Sequence, residues 1–197
     1  MTFLIQQTLV YTIPLMIVAL AGVFAERSGI INIALDGIMI FGSFVGALAV
    51  YMLQTSNAFG GNSQIIYIIA MLVAAGAGAL FSLLLSFSAI NLKADQTIGG
   101  TALNLMAPAL VLFLVRILAN QNTLQMKTGD AASWFMIKKS TFGIPKKQDI
   151  GFLGETFLHK VYLATYICII LFIVLSIILY KTRFGLRLRA CGENPQA

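Results

Sequence analysis

Charge is scarce in this chain. Only 10% of its 197 residues are Asp, Glu, Lys or Arg, where soluble domains carry about 25%. Hydrophobic residues make up 59%, and the mean hydropathy is +0.90. A water-soluble fold of this length could not hide so much apolar surface, so the solvent it is built for is lipid. Histidine is nearly absent, and cysteine occurs twice. One histidine and two distant cysteines cannot make a metal-ligand cluster. Cys168 lies in an apolar run and Cys191 in a basic one, so both read as free thiols. No glycine-rich loop ends in Gly-Lys-Ser/Thr to cradle a phosphate. His159 lies in a charged loop, which leaves no credible Ser/His/Asp arrangement. The expectation is a chain without cofactor that does no bond chemistry and is not an enzyme. No basic stripe alternates with exposed aromatics, so nucleic acid is not expected as a partner. The net charge of +6 reads instead as membrane topology and contact with lipid.

Long apolar runs are what the chain does have. Five stretches, 8–25, 30–53, 65–90, 101–119 and 161–180, approach the roughly 20 residues a helix needs to cross a bilayer. In hydrocarbon each backbone polar group must be satisfied within its own segment, so these are helices. The alternating ten-residue strands of a membrane barrel are missing. The predicted fold is an all-α polytopic transmembrane helix bundle, one domain over 1–197. The linker 120–160 holds Trp134, His159 and the Gly143–Pro145 turn, and reads as an extracytoplasmic loop of short irregular structure. Lys181, Arg183, Arg187 and Arg189 crowd the end of the last span, which places 181–197 in the cytoplasm. Parity then puts the N-terminus outside. A second topology has it inside, with part of 26–53 dipping into the membrane and returning.

The start of the second run is too polar for a lipid-facing helix. It reads "ERSGIINIALDG" from Glu26 to Gly37. Asn32 and Asp36 are four apart, so a helix places both on one face. An ionisable residue at membrane depth normally faces protein or a water-filled cavity. Gly29 and Gly37 would tolerate unwound backbone there. Two readings stand: a polar patch on a translocation path, or a polar hinge satisfied by neighbouring helices. Glu26 and Arg27 read as an interfacial anchor. Gly42 and Gly46 have the spacing of close helix packing, as does "AAGAGA" at 74–79. In the fourth run Thr97, Thr101 and Asn104 share helical spacing. They could bind a polar solute or join helices. Gly99, Gly100 and Pro108 suggest that this element is broken or kinked, and broken helices often mark transporter sites.

The chain closes on "TRFGLRLRACGENPQA", Thr182 to Ala197. Gly185 is expected to break the last helix, and Asn194-Pro195 to begin a new one. The arginines either hold the helix end inside or form a docking surface for a soluble partner. Thr182, Gly185, Arg189, Ala190, Gly192, Asn194, Pro195 and Ala197 match "T-x-x-G-x-x-x-R-A-x-G-x-N-P-x-A-A". That pattern resembles the coupling segment of ABC-importer permeases of the branched-chain amino acid, ribose and simple-sugar type. "AERSGIINIALDGIMIFGSFVGA" and "LKADQTIGGTALNLMA" resemble the nucleoside branch, which depends on a basic membrane lipoprotein. Asp36 stands where most such members have Glu.

The resemblance implies a multi-pass subunit of the bacterial cell membrane that imports nucleosides by alternating access. Its partners would be an ATP-binding cassette ATPase, a second homologous permease and an extracytoplasmic substrate-binding lipoprotein. Arg183, Gly185, Arg187, Arg189, Gly192, Glu193, Asn194 and Pro195 would couple to the ATPase. Asn32, Asp36, Thr101 and Asn104 would line the route. Family members continue through further spans, so the chain is expected to be truncated. The alternatives are a simple-sugar permease, a membrane scaffold without transport, and an ion-coupled carrier with Asp36 as its proton site.

Overall fold

The structure is a computed structural model that describes residues 2–56, 62–119, 123, 135–137 and 161–194. Its elements are α1 (Thr2–Arg27), α2 (Leu35–Thr55), α3 (Ser63–Ile90), α4 (Gln96–Ala119), β1 (Met136–Ile137), β2 (Val161–Tyr162), α5 (Leu163–Lys181) and α6 (Arg183–Glu193). The first four helices and α5 are long and apolar enough to cross a membrane. With 28 residues, α3 is about 42 Å long, beyond the roughly 30 Å of a hydrocarbon core. Large apolar side chains such as Leu72, Leu80 and Leu105 are exposed. That is the expected surface of a lipid-embedded all-α protein.

The chain forms two compact units, residues 30–131 and residues 1–29 with 132–197. The first contains α2, α3 and α4. Its core is Ala34, Phe81, Leu85, Leu103 and Ala107, with Ile38 and Phe41 packed against it. The rings of Phe41 and Phe81 stack with centroids 4.6 Å apart. Small residues set the α2–α3 distance. A methyl group added to Gly42 would lie 3.1 Å from the Ala74 carbonyl oxygen, and one on Gly46 would lie 3.0 Å from the Ala74 Cβ. The close packing predicted for Gly42, Gly46 and the 74–79 stretch is therefore present.

The other unit contains α1, α5, α6 and a two-residue ladder. Met136 pairs with Tyr162 and Ile137 with Val161, antiparallel. Ile13 and Leu20 of α1 and Leu179 of α5 are buried. At the end of α1 the Ser28 amide donates to the Phe24 and Ala25 carbonyls and the Gly29 amide to that of Glu26. Gly29 has φ +80°, a left-handed conformation that glycine adopts without the clash of a Cβ.

Three expectations need correction. The second helix starts at Leu35 rather than at residue 30, so Asn32 precedes it and does not share a helical face with Asp36. The fourth helix is unbroken from Gln96 through Gly99, Gly100 and Pro108. Gly185 does not end the last span. The break falls at Thr182, whose φ of −102° and ψ of 160° are extended, and Gly185 lies inside the new helix α6. Asn194 caps the end of α6, and the helix expected to begin at Asn194-Pro195 lies outside the described residues. Pro195 and Ala197 lie outside the described residues, as do Trp134, His159, Gly143–Pro145 and most of 120–160.

Candidate functional site

Residues 28–34 interrupt the chain between α1 and α2, and polar groups satisfy the backbone there. Asn32 is half-buried, and its Oδ1 accepts from the Ala34 amide at 3.1 Å. Helix α2 has no side-chain cap from its own N-cap residue, Ala34. Its orphan donor at Gly37 is satisfied from α4 instead: the Gly37 amide donates to Asn104 Oδ1 at 2.7 Å. The other end of that amide, Asn104 Nδ2, donates to the Ile33 carbonyl at 2.7 Å. About two turns closer to the start of α4, Gln96 Oε1 accepts from the Ile31 amide at 3.0 Å. Close approach makes these bonds possible. A methyl group on Gly37 would sit 2.9 Å from both Asn104 Oδ1 and the Leu103 carbonyl oxygen, and one on Gly100 would sit 3.1 Å from the Ile33 Cβ. Gln96 was not singled out in the sequence, because nothing in its spacing signals a bond to a residue 65 positions earlier.

The predicted route residues therefore separate. Asn104 holds the break and α2 to α4. Thr101 is exposed, and its hydroxyl donates back to the Thr97 and Ile98 carbonyls of its own helix at 2.8 and 3.0 Å. Asp36 is exposed in the first turn of α2, where the helix dipole favours a carboxylate. Only Asn32 of the four lines the groove of about 540 Å³ along α2 and α3, together with Leu35, Met39, Ser43, Ser82 and the small residues between them. Ser43 and Ser82 donate to the Ile40 and Ala79 carbonyls at 2.9 and 2.7 Å, which keeps their lone pairs available as acceptors. The groove is open and mainly apolar, with a few polar edges.

Asp95 caps α4. Its Oδ1 accepts from the Thr97 amide at 2.7 Å and the Ile98 amide at 3.3 Å. These bonds, the one from Thr97 foremost, hold its carboxyl below the ordinary value.

In the other unit, the α5–α6 elbow is built from residues of the terminal motif. Thr182 Oγ1 donates to the Ile178 carbonyl at 2.6 Å and accepts from the Gly185 amide at 3.3 Å. A side chain on Gly185 would overlap the Leu179 and Ile178 carbonyl oxygens, so only glycine fits. Arg189 turns inward: its Nε donates to the Gly185 carbonyl at 3.3 Å, and its guanidinium lies 5.7 Å from the Tyr180 ring centroid. Seven residues beyond Gly185, on the same face, Gly192 abuts the end of α1. A methyl group there would overlap the Arg27 carbonyl oxygen and lie 2.9 Å from the Gly29 nitrogen. Arg183, Arg187 and Glu193 are exposed. The predicted coupling residues thus divide into a seated set and an outward set.

Comparison with known proteins accords with this architecture. The chain is 38% identical over 194 residues to the nucleoside ABC transporter permease protein NupC of Lactococcus lactis, covering 98% of this chain and 57% of that one. It is 38% identical over 197 residues to the guanosine ABC transporter permease protein NupQ of Bacillus subtilis, covering 100% of this chain and 58% of that one. A putative glucose ABC transporter permease protein, TsgC13 of Haloferax volcanii, is 24% identical over 202 residues, covering 98% of this chain and 52% of its own length. The chain spans just over half the length of these curated relatives. No solved structure matches it. The family model for the permease component of branched-chain amino acid transport systems matches residues 4–197, and the chain belongs to that family.

Proposed function

We propose that this chain supplies transmembrane helices to an ATP-binding cassette importer of the bacterial cell membrane, and that the solute is a nucleoside. The observation that carries the reading is the α5–α6 elbow. A capped helix leaves the last span at Thr182 with Arg183 and Arg187 exposed, four residues apart on one face. Neither arginine has an ion-pair or hydrogen-bond partner among the described residues. Such a face suits docking to an acidic surface of a soluble ATPase. The relatives named for nucleoside and guanosine transport support the solute class. A second homologous permease and an extracytoplasmic binding lipoprotein complete the proposed assembly.

On this reading Asn32 faces the solute from the groove, and the exposed Asp36 and Thr101 are the further route candidates. Asn104 works by holding the break in place. Asn, Asp and Thr side chains suit ribose hydroxyls and base edges, and a simple sugar is the competing solute. The test is uptake of labelled guanosine by cells carrying the full-length permease with its partner subunits. Uptake should need an intact ATP site in the ATPase and should be displaced by unlabelled nucleosides but not by ribose or glucose. Displacement by the sugars alone would overturn the nucleoside assignment. Uptake that survives loss of the ATP site would overturn the importer itself. Glu substitution of Arg183 and Arg187 together should abolish uptake and release the ATPase from the membrane.

A further inference from the structure

We propose that the α5–α6 elbow holds the phosphate of an anionic phospholipid, gripped by Arg189 and Lys181 at the end of the last span. The proposal rests on the permease reading above only for the leaflet, which is the cytoplasmic one. Arg189 carries the argument. It lies in α6, past the span, yet its guanidinium folds back to 5.7 Å from the centroid of the Tyr180 ring, in the last turn of α5. An arginine near a span end ordinarily extends its charge away from hydrocarbon into water. This one reaches toward the membrane border instead. The ring holds it there together with the bond from Nε to the Gly185 carbonyl, 3.3 Å long. The Nη groups have no acceptor among the described residues. A half-buried guanidinium with its fork unfilled suits an anion that offers paired oxygens, and phosphate fills such a fork bidentately.

The surroundings fit a lipid better than a free ion. Lys181 is exposed, ends α5 and follows Tyr180 directly, so a second cation stands at the same depth. Tyrosine itself favours the headgroup level, where its ring is covered and its hydroxyl stays wet, and Tyr180 is exposed. Phe184 and Leu186 leave large apolar side chains exposed on α6, beside these charges. Basic residues interleaved with uncovered apolar ones are the make-up of a helix that lies in the headgroup layer. A phospholipid meets both needs at once: its phosphate fills the Arg189 fork, and its acyl chains cover the apolar side chains. Arg183 and Arg187 lie on the face of α6 opposite Gly185 and Gly192 and remain for the ATPase.

The experiment uses the full-length permease with its partner subunits, released from detergent for native mass spectrometry. Phosphatidylglycerol and phosphatidylcholine with the same acyl chains are titrated in turn. The first phosphatidylglycerol should bind at least about fivefold more tightly than phosphatidylcholine, the size of one basic residue's attraction to an anionic leaflet. Arg189→Gln and Lys181→Gln should each erase most of that preference. Arg189→Lys should lose part of it, because an ammonium keeps the charge without the fork. Lys93→Gln removes an exposed cation of the other unit and should keep the wild-type preference. Lys181 makes no side-chain bond among the described residues, so its variant decides alone if Arg189→Gln unseats α6. Glycerol phosphate, which lacks acyl chains, should not displace the bound lipid at equal concentration. Equal affinity for the two lipids, a preference that survives Lys181→Gln, or one that falls as far in Lys93→Gln would overturn the proposal. Displacement by glycerol phosphate would overturn the lipid and leave a site for free phosphate. These readings need no uptake, so a transporter without ATP-dependent uptake would overturn the permease reading and not this site.

Discussion

Asn104 shows how much one amide can organise. A single side chain accepts from the Gly37 amide and donates to the Ile33 carbonyl. It caps α2 from another helix and ties down the break in one step. Asn104→Leu strands both groups. Leaving the buried Gly37 amide without an acceptor costs about 1–3 kcal/mol, whereas the Ile33 carbonyl lies in an exposed bond. The variant should therefore unfold at a clearly lower temperature in detergent. Asn104→Asp keeps Oδ1 for the Gly37 amide and loses only the donor to Ile33, so it should lose less. Equal losses in the two variants would show that the cap contributes nothing. The residue type and place of Asn104 were legible in the sequence as a polar group at helical spacing, with interhelical bonding as one of its two readings. Its partners were not, because bonds spanning 67 and 71 residues leave no periodic trace. The same holds for Gln96, and for the glycines at 185 and 192, whose need for a missing side chain appears only once a carbonyl lies against them.

At the scale of elements, capping explains where hydropathy misplaced the ends. Apolar runs mark the part of a helix that meets hydrocarbon, and helices continue past it into polar residues. Thus α4 begins at Gln96, just after its Asp95 cap, whereas the apolar run begins at residue 101. The break before α2 was misread for a related reason: two polar residues four apart fit a helix, yet Asn32 instead bonds two residues ahead and holds the backbone out of one. At the elbow the expected breaker is Gly185, and the structure has the break and the cap at Thr182 instead. Removing it by Thr182→Ala should cost about 1 kcal/mol, with Thr182→Ser near neutral. Amide exchange in the first turn of α6 should accelerate in the alanine variant only. The Asp95 cap adds a pH dependence. Its carboxyl is held below the ordinary 3.8 in the folded chain, so its contribution is complete above that value and is lost as pH falls through the lowered one. Exchange of the Thr97 and Ile98 amides should rise only in that acid window, and Asp95→Asn should remove the dependence while keeping an acceptor.

For the whole molecule, the class and the number of spans were legible because lipid leaves the sequence few options. Five apolar helices were expected and five are present among the described residues. Side of the membrane is a different matter, since it depends on charge balance at the span ends and on no contact inside the protein. The chain carries its own reporter for it. Cys191 is exposed on α6, while Cys168 lies within α5, a span. In a Cys168→Ser variant of the full-length permease, checked for uptake, Cys191 becomes the probe for the basic end, provided that any further cysteines are also replaced. A membrane-impermeant maleimide should leave intact cells unlabelled and should label inverted vesicles stripped of the proposed ATPase partner. Rebinding the ATPase should then protect Cys191, because Arg187 lies one helical turn away on α6. Labelling of intact cells would put the arginines outside, where no ATPase can reach them, and the proposed direction of coupling would fail with it.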